Sequence, residues 1–67
     1  MTDLERAILN MEGRDWRTAA RKEDVIRREL DMSVIAYYQA LNALIDTQAA
    51  LEYVPTVVNR LRRLRRK

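Results

Sequence analysis

Residues 60–67 read RLRRLRRK, six cations and no acid in eight positions. A group of this kind neutralises clustered phosphates and releases their counterions, which gives binding that weakens steeply with salt whatever the bases are. Arg60, Arg62, Arg63, Arg65, Arg66 and Lys67 are therefore phosphate-contact candidates. Arg14, Arg17, Arg21 and Lys22 form a second basic group earlier in the chain, where contacts to a nucleic-acid backbone also fit. Cations near a helix C-terminus complement the helix dipole, but one or two suffice for that, and six exceed it. The remainder is acidic. Residues 1–59 hold seven Lys/Arg against ten Asp/Glu, so the formal charge of +3 comes from the last eight positions.

Base reading requires a different set. The run ELDMSVIAYYQALNAL, residues 29–44, contains a short turn followed by a segment from Ser33 to Ile45 with no charged residue. On a helix beginning at Ser33, the positions Val34, Ile35, Tyr38, Gln39 and Asn42 share an outward face. Gln and Asn pair bidentately with adenine, and an apolar group such as Ile35 contacts the thymine methyl. Ile35, Tyr38, Gln39 and Asn42 are the base-reading candidates, with a preference for A·T pairs because the Arg that reads guanine is missing. An apolar helix of this kind also fits a protein interface. Val34, Ile35 and Tyr38, with Val57, Leu61 and Leu64 from the last helix, are the partner-interface candidates.

Other chemistries find no residues. The chain has no cysteine and no histidine, which removes disulfides, thiolate or imidazole metal sites and histidine acid–base catalysis. No glycine-rich phosphate loop is present, and the adjacent pair Glu23-Asp24 is read as a helix-start feature that complements the dipole. The expectation is a protein that is not an enzyme and takes no cofactor or metal. No apolar run reaches the ~20 residues a membrane span needs. The last helix lacks an aromatic anchor, which ranks membrane association last. A cytoplasmic protein, nucleoid-associated if it binds DNA, is expected.

The elements that must position these groups are helices. Thr2-Asp3-Leu4-Glu5 has the form of a capping box, and Leu4, Ile8 and Met11 follow as one apolar stripe. Gly13 either ends this helix or is tolerated inside it at a cost of about 1 kcal/mol; because Leu9, Glu12 and Trp16 continue a neighbouring stripe, the helix is predicted to run to about Arg17. A second helix is predicted over Lys22–Leu30 with Val25, Ile26 and Leu30 inward. Asp31-Met32 makes the turn, Ser33 caps a third helix to about Ile45, and Tyr37, Leu41 and Leu44 line its inner face. Asp46 is predicted to cap a short helix from Thr47 to about Glu52. Pro55 suits the first turn of the last helix, whose apolar seam is Val54, Val57, Leu61 and Leu64. The fold class is all-α: a helix-turn-helix core of three main helices, residues 1–54, plus a basic amphipathic C-terminal helix, residues 55–67. Two helices at a steep angle across a tight turn need apolar residues at fixed offsets on both, which Ile26, Leu30, Met32, Tyr37, Leu41 and Leu44 supply. Any three-helix bundle with a short interhelical loop shares that pattern.

One resemblance spans roughly residues 4–65. Trp16, Lys22-Glu23, Ile26-Arg27, Met32-Ser33, Tyr37-Tyr38-Gln39, Leu41-Asn42, Leu44-Ile45-Asp46, Ala50-Leu51, Pro55 and Leu61-Arg62-Arg63-Leu64-Arg65 occur in this order. This sequence resembles a family of short actinobacterial and actinophage proteins catalogued as a domain of unknown function. The resemblance implies a helix-turn-helix-like fold and DNA binding, and carries no established activity. The chain departs from it at Ile35-Ala36, where family members place polar or basic residues, and at Val54, where they usually place Asp. Residues and resemblance together lead to a small DNA-binding protein, a transcriptional or phage regulatory factor. It would act on double-stranded DNA as a homodimer, with residues 33–45 in the major groove. The alternative is an interaction module that binds a host transcription component, or itself, through the apolar face of that helix.

Overall fold

Five helices account for the computed structural model, which describes residues 1–65: α1 Asp3–Glu12, α2 Ala19–Glu29, α3 Val34–Leu44, α4 Gln48–Tyr53 and α5 Pro55–Arg65. No strand occurs among the described residues, and the all-α class follows. Each boundary has a local chemical cause. At the start of α1, Thr2 Oγ1 accepts from the Glu5 N–H and Glu5 Oε1 accepts from the Thr2 N–H, a complete capping box. Ser33 and Thr47 cap α3 and α4 by accepting from the N–H of Ala36 and Ala50. Pro55 opens α5, where its missing N–H costs nothing.

Several expected boundaries move. The first helix stops at Glu12, not near Arg17. The Gly13 N–H turns back to the carbonyls of Leu9 and Asn10, and the Trp16 indole N–H donates to the Met11 carbonyl at 2.8 Å. This returns the indole to the core edge, with Arg14 4.6 Å above the ring. A continued helix would have carried Trp16 past that position. Helix α2 begins earlier than Lys22, because Thr18 caps it by accepting from the Arg21 N–H. Glu23 and Asp24 therefore sit inside the helix rather than at its start, and Asp24 pairs with Arg21 and Arg28. Thr47, not Asp46, caps α4. Asp31 adopts φ 51, the left-handed conformation that an Asp tolerates and that lets the chain reverse between α2 and α3.

The core joins Ile8, Leu9 and Met11 of α1, Val25 and Ile26 of α2, Tyr37, Leu41 and Leu44 of α3, then Ile45, Ala50 and Val58. Helices α1 and α2 both pack on α3, and α4 packs on α5. The inner faces of α2 and α3 match the spacing in the sequence. Leu4, placed on the first apolar stripe, is exposed. On α5 the seam is shifted: Val58 is the fully buried residue, Val54 and Leu61 are partly buried beside it, and Leu64 is 58% exposed. The expected seam through Val57 and Leu64 gives way to Val54, Val58 and Leu61.

One ionised group lies in this interior. The Glu12 side chain is 6% exposed and meets Lys22 Nζ at 2.7 Å, while the Tyr37 hydroxyl donates to the same carboxylate. Burial and then the Glu12 hydrogen bond hold Tyr37 protonated well above the ordinary tyrosine range. Burial alone would lower the Lys22 pKa, but the Glu12 hydrogen bond and charge outweigh it and raise it. Breaking a buried pair strands its other half. Glu12→Ala is expected to lower the unfolding free energy by about 3–5 kcal/mol, and Glu12→Leu with Lys22→Met to cost less than either change alone, measured by urea titration of far-UV circular dichroism. Above about pH 10 the unfolded chain releases the Lys22 and Tyr37 protons before the folded one does. Stability is expected to fall there, and less steeply in Tyr37→Phe.

Candidate nucleic-acid interface

The outward face of α3 is set by the inward placement of Tyr37, Leu41 and Leu44. Residues 35, 38, 39 and 42 follow at i, i+3, i+4 and i+7 and are all exposed, Ile35 at 72% and Tyr38 at 43%. Val34, grouped with them from the sequence, is half-buried. The four base-reading candidates thus share one surface, but they are not equally available. The Tyr38 ring stands edge-on to Tyr37 at 5.0 Å between centroids, with the Lys22 ammonium 5.3 Å from its own centroid. Asn42 Oδ1 accepts from Arg65 at 3.1 Å. The Gln39 side chain makes no hydrogen bond among the described residues, and Ile35 is exposed.

The phosphate-contact candidates divide sharply. Lys22 is withdrawn from solvent, its side chain 16% exposed against Glu12, so it is a core ion and not a surface cation. Three arginines of α5 are also engaged by the fold, Arg62 partly buried and Arg60 and Arg65 at the surface, and each meets a helix end. Arg60 donates to the Glu12 carbonyl at 3.2 Å, and Arg62 Nε to the Ile45 carbonyl at 2.7 Å. Arg65 donates to the Asn42 carbonyl at 3.3 Å and grips Asp46 at 2.5 and 3.2 Å. The hydrogen bond and charge of Arg65 hold the Asp46 carboxyl below the usual carboxylate range and raise Arg65 in turn. These contacts satisfy carbonyls at the C-termini of α1 and α3, where the dipole favours cations. The helix-end role set aside for the tail is thus performed, but on neighbouring helices.

The candidates that serve no helix end are Arg17, Arg21 and Arg63, with Arg14 beside them; Arg27 and Arg28 of α2, outside the candidate set, are exposed as well. Arg14, Asp15, Trp16, Arg17, Thr18 and Arg21 line a shallow cleft at the start of α2. Arg14 lies 3.4 Å from Glu29, and Arg21 only 4.0 Å from Asp24. Arg17 and Arg63 have no ion-pair partner among the described residues. Arg63 lines an open groove on α5 with Thr56, Asn59 and Arg62. Arg66 and Lys67 lie outside the described residues.

The partner-interface candidates also separate. Ile35, Tyr38 and Leu64 are exposed, whereas Val57 and Leu61 are partly covered, Leu61 against the core. Sequence reasoning did not single out Glu12, Val58 or the Asp46–Arg65 pair. Glu12 carried a signal, since it falls on an apolar stripe between Leu9 and Trp16. Among the described residues no group of three or more His, Cys, Asp or Glu is placed to hold a metal. No helix among them is long and apolar enough to cross a membrane.

Over residues 1–67 the sequence matches the family described as "Protein of unknown function (DUF3263)", and the chain belongs to that family. No curated protein and no solved structure matches it.

Arg62 is partly buried and donates to a carbonyl that would otherwise lack a partner. Arg62→Met is expected to lower the unfolding free energy by about 1.5–3 kcal/mol, a charge-assisted hydrogen bond's worth, read as a lower urea midpoint with an unchanged slope.

Proposed function

We propose that this member of the family is a small DNA-binding protein, in which α2 and α3 act as a helix-turn-helix and α3 enters the major groove. The observation that carries the reading is the outward face of α3. Ile35, Tyr38, Gln39 and Asn42 stand exposed together on a helix that α2 braces from behind, across the connection 30–33 with its reversed Asp31. The start of α2 lies against that face, with Lys22 over the Tyr38 ring. A helix presented in this way places side chains at base edges, while flanking cations hold the backbone. Arg17, Arg21 and Arg63, with Arg14, are the phosphate contacts of this reading, and most of the α5 arginines serve the fold. One module of this size reads few bases, so a homodimer on two half-sites gives the discrimination a transcriptional or phage regulator needs.

A second reading is favoured by Ile35. At 72% exposure it is a large apolar side chain presented to solvent, with Tyr38 beside it. The same surface then docks a protein, either a second copy or a transcription component, and the cations form the rim.

Fluorescence anisotropy with duplex DNA across a salt series separates the two. Under the first reading the logarithm of the affinity falls linearly with the logarithm of the salt concentration, and Arg17→Ala and Arg63→Ala each reduce the slope by about 0.9. A chain that binds no duplex at low salt sinks it. Under the second reading, Ile35→Glu dissolves self-association or partner binding at unchanged helicity, and duplex affinity is absent throughout.

A further inference from the structure

The outward face of α3 is large at its start and small at its end. Ile35 stands at the start, the most exposed of the large apolar side chains. Ala40 and Ala43 lie further on, where with Ile8 and Glu5 of α1 they line a shallow groove. Gln39 sits between them, exposed, its amide making no hydrogen bond among the described residues. The whole run from Ser33 to Ile45 carries no charge, and charges close off both ends. Arg27 and Asp31 lie with Ser33 in a cleft where α3 starts, and neither has an ion-pair partner among the described residues. Arg65 and Asp46 pair where α3 ends, their side chains still 40% and 58% exposed.

We propose that a second copy of this chain covers this face, the two α3 helices running antiparallel about a two-fold axis at Gln39. The inference rests on the second reading, in which the α3 face docks a protein, and it names that protein. A two-fold contact must be complementary to itself, and this face meets the condition in one orientation. Ile35 lies about 6 Å before Gln39 along the helix axis, and Ala43 about 6 Å after it. The axis therefore sets Ile35 against Ala43 of the other copy, a large side chain against a small one, and Tyr38 against Ala40. A parallel pair would set Ile35 on Ile35 and Ala43 on Ala43, a collision followed by a void, which close packing disfavours. At the axis each Gln39 amide offers a donor and an acceptor, so the two satisfy one another. The ends agree. Asp31 lies just before α3 and Asp46 just after it, so Asp31 of one copy faces Arg65 of the other, and Arg27 faces Asp46. Parallel helices would bring like charges together there. The helix dipoles favour the antiparallel pair as well.

The test is sedimentation velocity of the full chain over a concentration series, which is expected to show monomer passing to dimer. Ile35→Glu and Ala43→Glu, at exposed helix positions and checked for unchanged helicity, are each expected to weaken association by about tenfold or more. Asp31→Asn keeps a residue that tolerates φ 51 and is expected to weaken it by about threefold, less at high salt. Orientation is read by oxidation, since the chain has no cysteine of its own. An equimolar mixture of Ile35→Cys and Ala43→Cys is expected to form the mixed disulfide in preference to either symmetric one, and Gln39→Cys to bridge to its own copy, because a bridge needs Cα atoms within about 7 Å. Preferential bridging of Ile35→Cys to itself overturns the antiparallel axis. Association untouched by either Glu variant overturns the use of this face. A chain that stays monomeric throughout overturns the pairing. If that monomer binds duplex DNA, the second reading falls with it; if it binds none, only the choice of a second copy falls, because the face is left to another protein.

Discussion

The Glu12 carboxylate is the constraint around which four helices are arranged. It closes α1, receives Lys22 from α2 and the Tyr37 hydroxyl from α3, and its backbone carbonyl receives Arg60 from α5. A carboxylate taken out of water without partners costs several kcal/mol, so Lys22 and Tyr37 must reach it. That requirement limits the rotation of α3: with Tyr37 turned toward α1, residues 35, 38, 39 and 42 turn outward. The candidate interface is the reverse side of a satisfied buried charge.

The basic residues show how misleading a charge run is when read without neighbours. RLRRLRRK is the most cationic segment of the chain, yet Arg60, Arg62 and Arg65 spend their donors on carbonyls and a carboxylate at the ends of α1 and α3. Helix C-termini leave carbonyls without intrahelical partners, and in a small domain where helices end near one another, long arginines are well suited to meet them. Tail and domain are thereby one structure, with Val58 in the core and the guanidinium groups as clamps around it. Outward positive charge that serves no helix end lies on Arg17, Arg21 and Arg63, and on Arg27 and Arg28 of α2.

Much of the architecture was legible because its signals are local. Thr2 with Glu5, Ser33, and Pro55 mark helix starts through bonds a few residues long, and the spacing of Tyr37, Leu41 and Leu44 marks a buried face. Thr18 and Thr47 carry the same kind of signal, and α2 and α4 start from them rather than from Lys22 and Asp46. The end of α1 was legible only as one of two alternatives, a stop at Gly13. Gly13 sits inside a continuing apolar stripe, and what stops the helix is the Trp16 indole reaching back to Met11, a choice made by the core. On α5, Val57 and Val58 are adjacent apolar residues, and only the docking surface selected Val58 for full burial.

The residues of the α3 face, its lack of charge and the helical spacing that groups Ile35, Tyr38, Gln39 and Asn42 are properties of the sequence alone, because a helix has one period. Which cations reach solvent, and how much of Asn42 is left to recognise anything, are not. Those depend on Arg65 lying twenty-three residues further on and on Lys22 finding Glu12. Contacts across such separations exist only once the chain has closed on itself, and their energies come from burial and geometry that no single helix possesses.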